Sequence, residues 1–228
     1  MHHSTLETFV LPDPLQKVDI LVSEWMGYAL LYESMLPTLI TARDRFLAPG
    51  GAILPSATSL LLAGSSHDRL AFFNDVYGFN YAPFIEPNRA EASVEVVPEE
   101  TLLTASEVFR TFNMLTVTND DLDFNSPFSL MAVKAGSLRS FVIHFDTHFD
   151  LTSRGGKSTL FRTAPEDTPT HWKQTVLYLR RPRELSQGSV VSGIIAFSRN
   201  NTYERGYDFA LTIQVDGGPK DTQLFRMT

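Results

Sequence analysis

Apolar residues recur at every second position through most of the chain after Ala52, which is the period of a β-strand with one buried face. The alternation is clearest at residues 140–151 and is repeated at 207–216. Shorter segments with the same character, bounded by Gly, Pro, Asn or Asp, are 53–63, 92–97, 107–112, 128–134, 172–179, 190–197 and 222–226. Many short strands separated by turn residues predict an antiparallel sandwich or barrel.

Residues 4–48 do not follow this pattern and predict the end of a doubly wound α/β domain. The apolar run at 18–22 is too short for a helix, and it predicts a strand that is covered on both faces. A helix is expected to begin near Pro37, with Ser34 as its cap, and to end before Pro49.

Two acidic residues flank a loop that follows the predicted strand. Glu24 comes directly after the strand, where loops of an α/β sheet carry chemistry, and Gly27 permits a turn that folds Glu33 back toward it. Two carboxylates at one site repel each other unless a cation lies between them. A planar guanidinium fits such a pair, because its fork gives two parallel hydrogen bonds to a carboxylate. The alternative is a solvated loop with an acidic residue near the start of a helix.

Two motifs resemble those of a known family. The segment SEWMGYALLYESMLP at 23–37 resembles the double-E loop of the protein arginine methyltransferases, and Thr170-His171-Trp172, followed by Lys-Gln-Thr, resembles the Thr-His-Trp loop of their type I members. The motifs occur in the family's order, and the resemblance extends along nearly the whole chain. Within the family, segment 75–79 and the Thr-His-Trp loop resemble the protein arginine methyltransferase 3 group most.

The resemblance implies a type I enzyme that moves a methyl group from S-adenosyl-L-methionine to arginine side chains of protein substrates. The products would be monomethylarginine and asymmetric dimethylarginine. In the family, the two carboxylates hold the substrate guanidinium and the histidine accepts a proton. The implied catalytic residues are Glu24, Glu33 and His171; the substrate-binding residues are Trp25, Met26, Tyr28, Met35 and Trp172; and the cofactor-binding residues are Glu7 and Met35.

The same resemblance implies an α+β fold that is mostly β. Residues 1–48 would be the C-terminal remnant of the doubly wound, S-adenosylmethionine-dependent methyltransferase domain, and residues 49–228 an antiparallel β-barrel that binds substrate. The aromatic-rich segment 67–84 predicts a helix followed by a turn at Gly78 and, because exposed aromatic clusters mark interfaces, a contact surface. The resemblance implies that this segment is a dimerisation arm inserted into the barrel. The full-length parent would then be a homodimer. The alternative is a helix packed onto the barrel.

The sequence contains no Gly-x-Gly turn, with which doubly wound domains hold a nucleotide. In the family this turn and the acid that pairs with the histidine precede the double-E loop. The resemblance therefore implies that the chain corresponds to the C-terminal part and is inactive alone. The alternative from another class is a non-catalytic binding or assembly module without a donor site.

Composition limits the partners and the location. A formal net charge of −7 argues against a nucleic-acid surface and is compatible with arginine-rich protein partners. No apolar run approaches the roughly 18 residues of a membrane helix and no signal peptide is recognisable, which favours a soluble protein of the cytoplasm, with the nucleus as a second location. The absence of cysteine excludes disulfides and thiolate chemistry within the sequence.

One face of the predicted strand at 140–151 carries four possible metal ligands, which are His144, Asp146, His148 and Asp150. A metal site is the weaker interpretation of this face. These four side chains could ligate a metal ion, but the same alternation describes a solvated outer face. No metal site is predicted.

Overall fold

The structure is a computed structural model that describes residues 5–6 and 8–228. Its α-helices are α1 (Leu36–Phe46) and α2 (Ile85–Arg89). Its strands are β1 (Val18–Val22), β2 (Leu47–Leu54), β3 (Ala57–Ser65), β4 (Ser93–Glu95), β5 (Glu107–Asn113), β6 (Phe124–Met131), β7 (Gly136–Asp150), β8 (Ser158–Arg162), β9 (Gln174–Leu185), β10 (Val190–Arg199), β11 (Tyr207–Val215) and β12 (Asp221–Met227). Short 3₁₀ helices lie at Arg69–Asn74, Ala82–Phe84, Glu99–Thr101, Asn119–Leu122 and Thr152–Arg154.

The strands form three sheets. β1 and β2 make a parallel pair at the N-terminal end. The other strands form a four-stranded sheet in the order β12-β11-β10-β6 and a six-stranded sheet in the order β4-β9-β7-β3-β5, with β8 paired to β7. All pairings in these two sheets are antiparallel. The predicted fold class, mostly β and antiparallel after a short α/β segment, is confirmed.

The two large sheets face each other across one apolar core. Phe109 of the six-stranded sheet contacts Phe197 of the four-stranded sheet with ring centroids 5.8 Å apart, and Phe128 and Phe141 meet across the same core at 5.8 Å. The side chain of Gln223 on β12 joins the sheets at one edge, because its Nε2 donates a hydrogen bond to the carbonyl of Tyr178 on β9 (2.8 Å). The alternating apolar residues therefore fill the space between the sheets, as the pattern predicts.

The N-terminal segment departs from the sequence prediction in two respects. β1 is not covered on both faces: Ile20 is half-exposed and Val22 is 75% exposed, so one face is open to solvent in the described part of the chain. The predicted cap is also wrong. Met35 is the N-cap of α1, and the Ser34 hydroxyl is buried without a hydrogen-bond partner among the described residues. Neither described α-helix is long and apolar enough to cross a membrane.

The middle of β7 is buried on both faces, which differs from the solvated outer face given as the alternative to a metal site. Toward the end of the strand this face opens, since Asp146 and His148 are half-buried and Asp150 is exposed. His144 is 1% exposed and its Nε2 lies 2.9 Å from the Ser106 hydroxyl oxygen. Val142, on the same face, packs in a second apolar cluster with Leu70 and Tyr178. Alternation predicted a strand with one apolar and one polar face. It did not reveal that residues distant in sequence cover the face that carries His144.

Strand boundaries also differ locally from the predictions. Segment 53–63 contains the end of β2 and most of β3, because Pro55 lies between them and cannot donate a backbone hydrogen bond to a ladder. β8 was not predicted. Its five residues are mostly exposed, so they lack the apolar alternation on which the other predictions rest.

The segment at 67–84 forms a shorter helix than predicted. The 3₁₀ helix Arg69–Asn74 is followed by a turn in which the Asp75 carboxylate accepts a hydrogen bond from the backbone N–H of Gly78 (2.8 Å), and Gly78 has a positive φ of 83°. One side of the segment packs on the six-stranded sheet through Leu70 and Phe73. Its other aromatic side chains are exposed: Phe72, Tyr77, Phe79, Tyr81 and Phe84.

Buried charges hold the base of this segment. Glu95 is 6% exposed, and it accepts hydrogen bonds from the Tyr178 hydroxyl (2.7 Å) and the His67 ring (3.1 Å). Burial by itself would raise the pKa of the Glu95 carboxyl, but these hydrogen bonds and the charge of Arg69 hold the pKa below its ordinary value. Burial raises the pKa of Tyr178, and the hydrogen bond to Glu95 raises it further.

Candidate functional site

Glu24 lies where β1 ends. The backbone N–H of Ser23 makes the last bond to β2, donating to the carbonyl of Leu54 (3.0 Å), and the chain then leaves the sheet. Trp25 and Met26 are buried directly after it, whereas Glu24 is exposed. The parallel pair therefore places the first predicted carboxylate at a strand end, with apolar anchors on its C-terminal side.

A tight turn connects the two acidic residues. Gly27 and Leu30 exchange two backbone hydrogen bonds (2.9 and 3.0 Å). A Cβ on Gly27 would lie 1.6 Å from the carbonyl oxygen of Tyr32, so only glycine fits this close approach between backbones. The prediction that Gly27 permits the turn holds, but the reason is steric contact rather than a positive φ.

The same loop contains several residues in the left-handed backbone region. They are Ala29 (φ 46°), Leu30 (φ 69°), Glu33 (φ 81°) and Ser34 (φ 52°). Non-glycine residues in this region each cost about 1–2 kcal/mol. Such strain persists only where surrounding contacts determine the conformation, and it is concentrated here in the loop that carries the predicted site.

Glu33 is held by Arg205, in the turn between β10 and β11. The backbone N–H of Glu33 donates a hydrogen bond to the Arg205 carbonyl (2.8 Å), and the Arg205 guanidinium Nη2 contacts Glu33 Oε2. The sequence analysis did not identify Arg205 as a site residue. An arginine in a polar turn is common, so no sequence signal indicated that it contacts the loop.

Glu24 and Met35 line one cleft of about 340 Å³. Its walls also include Leu21, Leu39 and the buried Trp25, whose indole N–H has no hydrogen-bond partner among the described residues. Glu33 lines a different open depression together with Arg205. The convergence of Glu24 and Glu33 on one guanidinium therefore remains a prediction, because the structure gives the two carboxylates separate surroundings.

The Thr-His-Trp loop contacts the double-E loop through Trp172. Its indole Nε1 donates a hydrogen bond to the carbonyl oxygen of Met26 (2.8 Å), and its ring packs edge-on against Phe145 and Phe161. His171 is exposed, with its ring centroid 3.7 Å from that of Trp172. The two motifs that are distant in sequence are thus adjacent in the fold.

Two further predicted residues have different outcomes. Tyr28 is half-buried and stacks on Tyr32, with ring centroids 6.0 Å apart. Glu7, predicted to contact the donor, lies outside the described residues.

The alternative metal site is not assembled. Asp150 accepts hydrogen bonds from Thr152, and Asp146 lies 3.7 Å from the guanidinium of Arg162. Among the described residues, no three His, Asp or Glu side chains come together as metal ligands.

Comparison with known proteins identifies the family. Residues 58–218 match the family model described as the arginine methyltransferase oligomerization subdomain. The chain is 41% identical over 215 residues to ribosomal protein arginine N-methyltransferase rmt3 of Schizosaccharomyces pombe, covering 90% of this chain and 40% of that protein. It is 38% identical over 193 residues to protein arginine N-methyltransferase 1 of Dictyostelium discoideum, covering 82% of this chain and 55% of that protein. The chain spans about half the length of the curated relatives it matches.

Solved structures give the same result. The Trypanosoma brucei PRMT1 enzyme-prozyme heterotetrameric complex with AdoHcy superimposes with a TM-score of 0.88 at 31% identity, covering 98% of this chain and 72% of that one. Arabidopsis thaliana protein arginine methyltransferase 10 superimposes with a TM-score of 0.84 at 23% identity over 98% of this chain and 74% of that one, which supports the fold alone. The motif-based prediction of the family is therefore confirmed, and the chain belongs to the protein arginine methyltransferases, whose C-terminal part it matches.

Proposed function

We propose that this chain supplies the arginine-binding part of a type I protein arginine N-methyltransferase that uses S-adenosyl-L-methionine. The observation that carries the proposal is the cleft at the end of β1, which is lined by Glu24, Met35 and Trp25. In this proposal, residues 1–48 are the remnant of the donor-binding domain and residues 49–228 the substrate-binding domain.

The role of the carboxylates follows from their charge. Glu24 accepts hydrogen bonds from the substrate guanidinium and draws its positive charge toward itself, which leaves the lone pair of the reacting nitrogen available. Glu33 is the second acceptor and fixes the plane of the guanidinium. Most of the rate gain then comes from orientation and electrostatics, because neither carboxylate forms a covalent bond.

The cleft fits the sulfonium end of the donor. When bound, the donor supplies an electrophilic methyl group on a positively charged sulfur. The carboxylate of Glu24 offers the opposite charge, while Leu21 and Leu39 offer apolar contacts. Met35 is half-buried and lines the same cleft, which supports its proposed contacts with donor and substrate. His171 is the proposed acceptor of the released proton.

The exposed aromatic segment 67–84 supports a homodimer as the functional assembly. Phe72, Tyr77 and Phe79 project from the six-stranded sheet, and clusters of this kind mark protein interfaces. The neighbouring solved structure from Trypanosoma brucei is a heterotetrameric complex. In this chain the segment would pack on a second subunit.

Substitution of Glu24 tests the enzyme proposal. The variant Glu24→Gln is placed in a polypeptide that joins this chain to a donor-binding segment of the family, and methyl transfer to an arginine-containing peptide is measured. We expect loss of at least a hundredfold in kcat/KM with donor affinity retained. The matched control is Glu107→Gln, an exposed acid on β5. An active Glu24→Gln enzyme would contradict the proposal.

The second candidate is a non-catalytic binding or assembly module. The observation that favours it is the engagement of Glu33 by Arg205, because that carboxylate already has a guanidinium partner within the chain. Methyl transfer by the joined polypeptide distinguishes the two uses of the fold, whereas calorimetry on the chain alone tests the expectation that both share. We expect no appreciable binding of S-adenosyl-L-methionine by the isolated chain, and methylation only when the donor-binding segment is supplied. Absence of methylation in the joined polypeptide would favour the module.

A further inference from the structure

The Glu33–Arg205 pair makes two contacts at once, one through the backbone and one through the side chains. The backbone contact fixes where Glu33 lies relative to the β10–β11 turn, and the guanidinium contact fixes its carboxylate. Glu33 Oε1 has no hydrogen-bond partner among the described residues. The pair therefore engages one carboxylate oxygen and leaves the other open.

The turn that carries Arg205 is itself ordered by hydrogen bonds. Asn200 Oδ1 accepts from the backbone N–H groups of Thr202 and Tyr203 (both 2.8 Å), and the N–H of Gly206 donates to the Tyr203 carbonyl (2.8 Å). The Asn200 amide also bonds Asp208 on β11 (3.0 Å). The backbone of Arg205 thus lies in a hydrogen-bonded turn at the end of the β10–β11 hairpin, and its 66% exposed side chain extends from this turn to Glu33.

The backbone of Glu33 needs a contact of this kind. Its φ of 81° and that of Ser34 (52°) are unfavourable for residues with side chains, and α1 begins directly after them. Without an external contact, this end of the loop would relax toward ordinary φ values and the carboxylate would move with it. The side chain of Glu33 is 30% exposed, so packing alone does not fix its rotamer.

We infer that Arg205 is a positioning residue for Glu33: it anchors Oε2 and the backbone so that Oε1 is presented to the substrate guanidinium. A carboxylate has enough lone-pair sites for two guanidinium groups, one at each oxygen. This inference rests on the proposed role of Glu33 in binding the substrate arginine. It assigns no contact between Arg205 and the substrate.

Kinetics of the joined polypeptide test the inference. We expect Arg205→Ala to lower kcat/KM for an arginine peptide at least tenfold with donor affinity unchanged, because small displacements of an orienting group are costly. Arg205→Lys should recover part of this loss, since it keeps the charge but not the fork. In the Glu33→Gln background, Arg205→Ala should have no further effect, because Arg205 acts through Glu33.

The control is Arg181→Ala, which removes an exposed positive charge on β9. An increase in kcat/KM for Arg205→Ala would show that Arg205 competes with the substrate and would overturn the inference. Equal losses of kcat/KM on introducing Arg205→Ala into the wild-type and Glu33→Gln backgrounds would also overturn the inference, since the effect of Arg205 would then not act through Glu33. If the unsubstituted polypeptide is inactive, the proposed function fails, which is a separate result.

Amide hydrogen exchange on the 228-residue chain tests the same contact by a measurement that does not require enzymatic activity. We expect exchange at residues 31–35 to accelerate several-fold in Arg205→Ala and to stay unchanged in Arg181→Ala. Unchanged exchange in Arg205→Ala would mean that the loop keeps its conformation without the guanidinium, and the positioning role would be rejected.

Discussion

The indole Nε1 of Trp172 donates a hydrogen bond to the carbonyl oxygen of Met26 over 2.8 Å, and this bond joins two loops that are 146 positions apart in the chain. Met26 follows β1 and Trp172 precedes β9, so the contact ties the parallel pair to the six-stranded sheet. The double-E loop is thereby fixed against the β-structure rather than only against its own helix.

Removing this bond should loosen the double-E loop. Trp172→Phe keeps an aromatic ring but loses the donor, and we expect the free energy of unfolding to fall by about 1 kcal/mol. Urea denaturation measures the change. Phe161→Leu is the control, because it alters the packing around Trp172 without touching the hydrogen bond. If Trp172→Phe leaves both stability and methyl transfer unchanged, the bond does not support the loop.

Gly27→Ala should lower the free energy of unfolding more than the same substitution at a glycine that has open space around it. The added Cβ would lie 1.6 Å from the Tyr32 carbonyl oxygen, and we expect a loss of about 3 kcal/mol together with altered loop structure. Gly50→Ala is the matched control: it has φ +73° with nothing within 4 Å, so it should lose only on the order of 1 kcal/mol. Similar losses for the two variants in denaturant unfolding would contradict the steric argument.

His144 should make the fold sensitive to mild acid. Burial lowers its pKa from 6.5 to about 4, with the nearby charges of Glu166 and Arg162 acting in opposite directions. Between pH 6.5 and pH 4, His144 is protonated in the unfolded chain and neutral in the folded chain. The free energy of unfolding therefore falls as the pH is lowered from 6.5 toward 4, by up to about 3 kcal/mol.

The variant His144→Gln isolates the contribution of His144 to the pH dependence of stability. The difference in unfolding free energy between wild type and variant should change across the pH range from 6.5 to 4 and be constant above it. Carboxylates that titrate in the same range cancel in this difference. A difference that does not vary with pH would show that His144 accepts the proton in the folded state.

Tyr178→Phe should destabilise the base of the aromatic segment. The variant leaves one oxygen of the buried Glu95 without its 2.7 Å hydrogen bond, and we expect a loss of about 2 kcal/mol at neutral pH. The pKa of Glu95 lies below its ordinary value of 4.5, so its stabilising contribution is present above pH 4.5 and is lost as the pH falls through the lowered pKa. Tyr178→Phe should weaken this acid-sensitive contribution, which unfolding at pH 7 and pH 3 measures. Equal stability of the two proteins at pH 7 would contradict the role of the hydroxyl.

Phe79→Ser should weaken self-association of the joined polypeptide. Phe79 is 69% exposed in the segment that we propose as a dimerisation arm, and truncating a residue that anchors an interface costs about 2 kcal/mol or more, which exceeds tenfold in affinity. Sedimentation equilibrium measures the dissociation constant. Val108→Ser, an exposed apolar residue on β5, is the control. An unchanged dissociation constant for Phe79→Ser would remove this residue from the interface.

Local sequence pattern was sufficient for most of the fold. Period-two alternation predicted β5, β7, β10, β11 and β12, because a strand with one buried face must place apolar side chains on alternate residues. Helical spacing predicted α1 with an apolar face of Leu36, Leu39, Ile40, Phe46 and Leu47. The first four are buried in the helix, whereas Leu47 is half-buried and begins β2. Where the pattern was absent, as in β8, the prediction failed.

The candidate site was predictable only as two separate motifs. The sequence by itself determined that the double-E loop follows β1 and that the Thr-His-Trp loop precedes β9, because each motif is adjacent to its strand along the chain. Only the tertiary structure decided that Trp172 bonds Met26, that Arg205 holds Glu33 across 172 positions, and that residues from other segments cover the second face of β7. The physical reason is that such contacts depend on how the sheets and turns pack, and a repeating pattern of apolar and polar residues specifies a face without specifying its partner.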